Sequence, residues 1–169
     1  EFMRDLIEQI SIEARKSEFI DQKSGVSARL SISAYETLVS ATERRCIMNG
    51  EKKSIARISD MYAVIPAITG KVELVYEGEQ EGAHGVAKRL LGAAIREQFP
   101  SYFPDPEMLK RRKETQNPYS EIIQWFSREE LDFLLTDPDK EYHKKLDKVK
   151  GMDALLKKYH PRADKKQSY

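Results

Sequence analysis

Apolar side chains in this chain recur three and four positions apart, in segments cut by turn-forming residues, and that spacing admits amphipathic helices and little else. Leu6, Ile7, Ile10 and Ala14 predict a helix over 4–17, which Asp21-Gln22-Lys23-Ser24-Gly25 interrupts. Ser33 followed by Glu36 has the form of a capping box, so a second helix is expected from there to Met48, with Tyr35, Leu38, Val39 and Thr42 as its buried stripe. Asn49-Gly50 ends it, and Ser59-Asp60 begins a third helix that reaches Ile68 with a kink or early stop at Pro66. Strand signals are few. Ser54–Ile58 is a weak strand at best, and Val72, Leu74 and Tyr76 alternate as in a strand or an extended arm. Glu77–Gly85 reads as a loop, and Val86, Leu90, Leu91, Ala94 and Ile95 mark a helix over 85–98. Pro100, Pro104 and Pro106 form a joint, and a basic helical turn is expected over 107–115 around Lys110-Arg111-Arg112-Lys113. A helix over 119–135, broken at Ser127-Arg128, would bury Ile122, Ile123, Trp125, Phe126, Leu131, Phe133 and Leu134. Helices over 138–149 and 152–160 close the pattern, so the expected fold is mainly α with at most one or two short strands.

No apolar run approaches the roughly 20 residues that cross a bilayer, and no charged and then apolar leader opens the chain. The expectation is a soluble, cytoplasmic protein with no membrane partner. A lone cysteine, Cys46, with His84, His143 and His160 makes neither a disulfide nor a structural zinc cluster. Arg44 and Arg45 beside Cys46 would lower its pKa, but a passive thiol is the preferred reading. Glu77, Glu79 and Glu81 lie close together without a histidine, which favours a solvated loop over a metal site. The near-neutral total of +1 hides a basic end, since residues 140–169 hold ten Lys or Arg against four Asp or Glu. Such a tail can lean on nucleic acid or an acidic protein face, although alternation with acids and aromatics favours a solvated helix and a disordered terminus after His160, around Lys165 and Lys166.

Glu1-Phe2 ahead of Met3 reads as a cloning scar, and a helical pattern already under way at Leu6 reads as an excised piece of a longer chain. The expected organisation is a scar and start at 1–3, a helical subdomain at 4–76, a loop, helix and Pro-rich joint at 77–106, and a helical extension with a basic tail at 107–169.

The sequence contains neither G-x-x-x-x-G-K-[ST] nor G-x-G-x-x-G, and no H-E-x-x-H, G-x-S-x-G or C-x-x-C. No complete active site is therefore expected in it. The most specific local feature is Ser24-Gly25-Val26-Ser27-Ala28-Arg29-Leu30-Ser31-Ile32-Ser33, which sets a guanidinium just ahead of a capped helix start. Free N–H groups, the positive dipole end and a forked donor suit a phosphate. The alternative on the residues alone, and the one they favour, is a surface pairing of Arg29 with a carboxylate such as Glu36.

Gly25-Val26-Ser27-Ala28-Arg29 resembles the G-x-S-x-R that opens a lid helix in AAA+ ATPases of the MoxR and magnesium chelatase group. Ser59-Asp60-Met61-Tyr62-Ala63 is similar to a later step of those lids. Ile65-Pro66-Ala67-Ile68-Thr69-Gly70-Lys71 and Val75-Tyr76-Glu77-Gly78-Glu79-Gln80-Glu81-Gly82 extend the resemblance across about residues 4–100. It implies an AAA+ lid-type helical bundle followed by a second helical module. It implies that Arg29 is the nucleotide-sensing sensor-2 arginine, with Gly25, Ser27, Ser31 and Ser33 supporting the helix start. ATP and Mg²⁺ would be bound by the parent protein only, whose N-terminal AAA+ core on the same chain would hold the phosphate loop and hydrolyse ATP. Neighbouring subunits of a ring, expected to be a hexamer, and an unknown protein partner complete the implied contacts. Ala28 departs from the family's frequent Pro and leaves the helix entry less rigid. The competing hypothesis is a stand-alone helical module that binds protein or nucleic acid through 107–113 and 140–166.

Overall fold

The structure, a computed structural model, describes residues 2–112 and 117–161, the side chains of 111 and 112 excepted. Among these residues every regular element is helical, and the one pairing of extended chain is an isolated antiparallel bridge between Ile20 and Leu74. The mainly α class holds. The alternation at 72–76 yields only that bridge, and Ser54–Ile58 forms no strand. The chain divides into two units. The first comprises the residues up to Arg44 together with Ala56–Phe99, and the second comprises Arg45–Ile55 and the residues from Pro100 onward.

The first unit is built on α1 (Phe2–Lys16) and α5 (Ala83–Gln98), which pack along each other more extensively than any other pair of helices. Leu6, Ile7, Ile10 and Ala14 of α1, and Val86, Ala87, Leu90, Leu91 and Ala94 of α5, are all buried at helical spacing. The division between units therefore falls after Phe99 rather than at residue 76, because α5 supplies one wall of the first core. α2 (Arg29–Met48) adds Leu30, Ala34 and Leu38, one per turn. That face differs from the expected stripe: Tyr35 and Val39 are exposed, since a helix that begins at Arg29 turns Leu30 and Ala34 inward and carries positions 35 and 39 outward. A 3₁₀ segment, Ile58–Val64, runs into α3 (Ile65–Thr69), where the expectation was an α-helix from Ser59 with a kink or early stop at Pro66. Pro66 explains the change, because it fits the first turn of α3 but has no N–H for a helix that passes through it.

Residues 76–81 correct the sequence reading more sharply, forming helix α4 (Tyr76–Glu81) rather than a loop. Gly78 lets that helix lie against the Phe19 carbonyl, whose oxygen occupies the place a Cβ would take. Gly82, with φ of +83°, then separates α4 from α5. Glu81 pairs with Arg89 at 3.0 Å, and the hydrogen bond from that guanidinium holds the Glu81 carboxyl below its ordinary range.

The second unit has a smaller apolar core, with Tyr119, Tyr142, Leu146 and Val149 buried. It contains α6 (Pro106–Arg112), α7 (Ser120–Phe126), α8 (Asp139–Leu146) and α9 (Met152–Tyr159), together with the last turn of α2. Arg45 in that turn is 3% exposed. It donates from Nη1 to Ser54 Oγ and Asp139 Oδ1, both at 2.7 Å, and from Nη2 to the Ile55 carbonyl at 2.9 Å. Glu51 Oε1 accepts the Asp139 N–H at 2.7 Å, and Asn49 Nδ2 donates to the Thr136 carbonyl at 3.0 Å. Segment 45–55 is thus stapled to the start of α8 by polar groups.

The expected helix over 119–135 is the largest correction. It stops at Phe126, where the Ser127 hydroxyl donates to the Gln124 carbonyl at 2.7 Å. Asp137 fixes the following segment by accepting the Leu134 N–H at 3.0 Å and pairing with Lys145 at 2.5 Å. None of Ile122, Ile123, Trp125, Phe126, Leu131, Phe133 and Leu134 is fully buried, because a helix of seven residues has too little length to enclose them. Near the end, the Tyr119 hydroxyl donates to the Pro104 carbonyl at 2.6 Å, and burial pushes that phenol up to about 12. Of the expected basic turn over 107–115, Lys113 and residues 114–115 lie outside the described residues, as do Lys165, Lys166 and the tail beyond Pro161.

Two substitutions test these supports. Gly78→Ala should cost about 1–3 kcal/mol in chemical denaturation, because its methyl must displace the Phe19 carbonyl. A variant as stable as the parent would show that α4 can slide. Arg45→Ala should cost about 3–5 kcal/mol, since it strands the Asp139 carboxylate and the Ile55 carbonyl.

Candidate functional site

The approach to Arg29 is a loop held by its own side chains and by the chain beside it. Asp21 donates its N–H to the Glu73 carbonyl at 2.9 Å, and Val75 donates to the Phe19 carbonyl at 3.1 Å, one on each side of the Ile20–Leu74 bridge. The Asp21 carboxylate then accepts the Lys23 N–H at 2.9 Å and the Ser24 hydroxyl at 2.8 Å, an Asx turn. Gly25 closes the turn with φ of +72° and donates its N–H to the Asp21 carbonyl at 3.1 Å. Glycine is suited to that left-handed backbone.

The helix begins earlier than the Ser33-x-x-Glu36 pattern indicates. Ser27 makes the start, its hydroxyl accepting the Arg29 N–H at 3.3 Å and its carbonyl accepting the Leu30 N–H at 2.9 Å. Ser33 lies inside the helix, where its carbonyl accepts the Thr37 hydroxyl at 2.7 Å. Ser31 shares a hydrogen bond of 2.8 Å with Ser11 of α1, so it ties two helices together rather than capping one. Of the residues expected to support the entry, Gly25 and Ser27 do so directly, while Ser31 and Ser33 serve the body of α2.

Arg29 is the first residue of α2, exposed, and its guanidinium makes no ion pair or hydrogen bond among the described residues. The pairing with Glu36 does not form. No acidic residue lies in the first turn of this 20-residue helix, so the positive dipole end and the guanidinium add rather than cancel. The arrangement can contribute one forked cationic contact to an anion.

Sequence reasoning missed Asp21 as the organiser of the loop. Its signal was present as Asp21-x-Lys23-Ser24, an Asx-turn pattern that was read only as a break. Elsewhere, no three side chains of the metal-ligating types converge among the described residues. No helix among them is long and apolar enough to cross a membrane. Cys46 is half-buried and its thiol donates to the Glu51 carbonyl at 2.8 Å. No protein family, curated protein or solved structure matches the chain.

The Lys23 N–H and the Ser24 hydroxyl hold the Asp21 carboxyl below its ordinary value. A carboxyl depressed in the folded state stabilises the turn above its unfolded pKa of about 3.9, and that contribution is lost as pH falls through the folded pKa. A carbon-detected NMR titration should find the Asp21 midpoint below about 3.9. Asp21→Asn should abolish that titration and broaden the amide signals of residues 23–25.

Proposed function

We propose that this chain is the lid and C-terminal helical part of a cytoplasmic AAA+ ATPase of the magnesium chelatase-like and MoxR group. The observation that carries the reading is the placement of Arg29: exposed, without a partner among the described residues, on the first turn of α2, at the end of a loop shaped by Gly25 and Ser27. In this reading Arg29 meets the nucleotide phosphates from the lid and senses their loss on hydrolysis. The phosphate loop, the Mg²⁺ ligands and the attacking water belong to the core, and neighbouring subunits of a hexameric ring share the site. The second unit is the extension that binds a partner protein. Support comes from the resemblance, in order along the chain, of Gly25–Arg29, Ser59–Ala63 and Ile65–Lys71 to the lid pattern, and from the helix–loop–helix setting of the arginine.

The test uses the ATPase that carries this chain. Losing a charge-assisted fork to phosphate removes roughly 1.5–3 kcal/mol, so Arg29→Ala should slow steady-state hydrolysis at least tenfold while the melting temperature stays within about 1 °C. The chain by itself should show no hydrolysis above background. A normal rate in the Arg29→Ala ATPase would return Arg29 to the surface and favour a stand-alone binding module.

A further inference from the structure

Residues 120–135 carry several large apolar side chains in the open. Ile123 is 58% exposed, Phe126 50%, Leu134 62% and Leu135 52%. Ile123 and Phe126 lie one turn apart on α7, and Trp125 packs edge-on against Phe126 with ring centroids 4.9 Å apart. The segment after α7 is neither helix nor strand, yet Asp137 and the stacking of Phe133 on Tyr142, 4.7 Å between centroids, hold it in place. The apolar side chains are therefore presented by an anchored backbone.

Charge decides what can cover them. The exposed ionised side chains interleaved with these residues are Glu121, Glu129, Glu130 and Asp132, against Arg128; Lys145, whose ammonium lies 6.0 Å from the centre of the Phe133 ring, is already paired with Asp137. Such a surface repels a nucleic acid backbone and an anionic membrane. It complements a segment in which lysine or arginine alternates with large apolar side chains. The contrast with α2 is instructive: its exposed Ile32, Tyr35 and Val39 are flanked by Arg29, Glu36, Glu43 and Arg44, a mixed border that selects no sign of partner.

We propose that the 120–135 surface docks a basic amphipathic helix of a partner protein, its apolar face on Phe126, Leu134 and Leu135 and its cations against Glu129, Glu130 and Asp132. This deepens the partner-binding role given above to the second unit, and names the surface and the chemistry of the partner. Apolar contact supplies the binding energy, and the carboxylates set its sign and its on-rate.

Trp125 is the single tryptophan of the chain and reports on the surface directly. The probe is a synthetic Lys/Leu amphipathic helix, compared with its Glu/Leu counterpart of the same pattern, titrated against the full chain without nucleotide. The Lys/Leu peptide should shift Trp125 emission to the blue and bind at least tenfold more tightly than the Glu/Leu peptide, with affinity falling as salt rises. The double variants Leu134→Ser/Leu135→Ser and Glu129→Lys/Glu130→Lys should each weaken it at least tenfold, with circular dichroism and melting unchanged. Unaltered binding in both variants, an unmoved Trp125 spectrum, or equal binding of the acidic peptide would overturn the proposal. So would concentration-dependent self-association lost in Leu134→Ser/Leu135→Ser, which would give the surface to a second copy of the chain. Arg29 is untouched in every arm, so failure here leaves the nucleotide-sensing reading standing, and failure there leaves this one.

Discussion

The contact between α1 and α5 is the constraint on which the first unit rests. The helices lie at opposite ends of that unit's sequence, and neither has an apolar face it can bury alone: Leu6, Ile7, Ile10 and Ala14 need Val86, Leu90, Leu91 and Ala94. Each Leu, Ile or Val among them contributes about 1.5–3 kcal/mol when fully buried, which is enough to offset closing a long loop, because closure cost grows only with the logarithm of loop length. The rest of the unit between Lys16 and Ala83 lies over a core with these two walls. α2 enters it with three residues, the 3₁₀ segment with Met61 and Val64, and α3 with Ile65 and Ile68. Segment 45–55 can leave the unit altogether, since none of the first core's buried residues comes from it.

A different physics holds the second unit. With few buried apolar residues, it relies on Arg45, whose buried guanidinium has to be matched by acceptors in a fixed geometry. Matching it pins Ser54, Ile55 and the first residue of α8 at once. The carboxylate of Asp139 also sits at the end of α8 where the dipole favours negative charge. Such a staple adds little net stability compared with a well-packed apolar contact, but it discriminates sharply among arrangements, because most alternatives leave a charge buried and unpaired. One oxygen of Glu51, Oε2, is buried without a partner among the described residues, a local cost the staple carries.

The sequence made the helices legible wherever a helix buries its own apolar stripe. α1, α5 and α8 lie where their spacing places them, within a few residues at each end, and so does α9, although none of its residues is fully buried. It failed where a distant contact decides. Gly78 looked like loop chemistry because nothing in Glu77–Gly85 shows that a carbonyl from Phe19 will come close enough to need a glycine inside a helix. Ser33 looked like a cap because the hydroxyl–carboxylate pattern is local, whereas the true start is fixed by Leu30 and Ala34 joining a core built elsewhere. Trp125 and its neighbours looked like core because they are large and apolar, and apolar content does not distinguish a core from a surface awaiting a partner. Arg45 drew notice only as a neighbour of Cys46, and its role depends on Asp139, far along the chain. At the candidate site, Gly25, Ser27 and Arg29 were legible because turn and helix entry are short-range, and Asp21 was within reach of the same reasoning.

The electrostatics of Arg29 bear on why such a residue is placed there at all. A cation on the first turn of a helix stands against the positive end of the dipole, typically at a cost of 0.3–1 kcal/mol. Leu30 and Ala34 behind it already anchor the turn, so packing does not require the guanidinium, and no carboxylate among the described residues relieves it. Residues that stabilise a fold by their own contacts do not have this profile. An anion arriving at the helix end would be met by the guanidinium and the dipole together, and the two terms that oppose each other in the free chain would then act in the same direction. The unfavourable placement thus converts into affinity when a negative charge is supplied from outside.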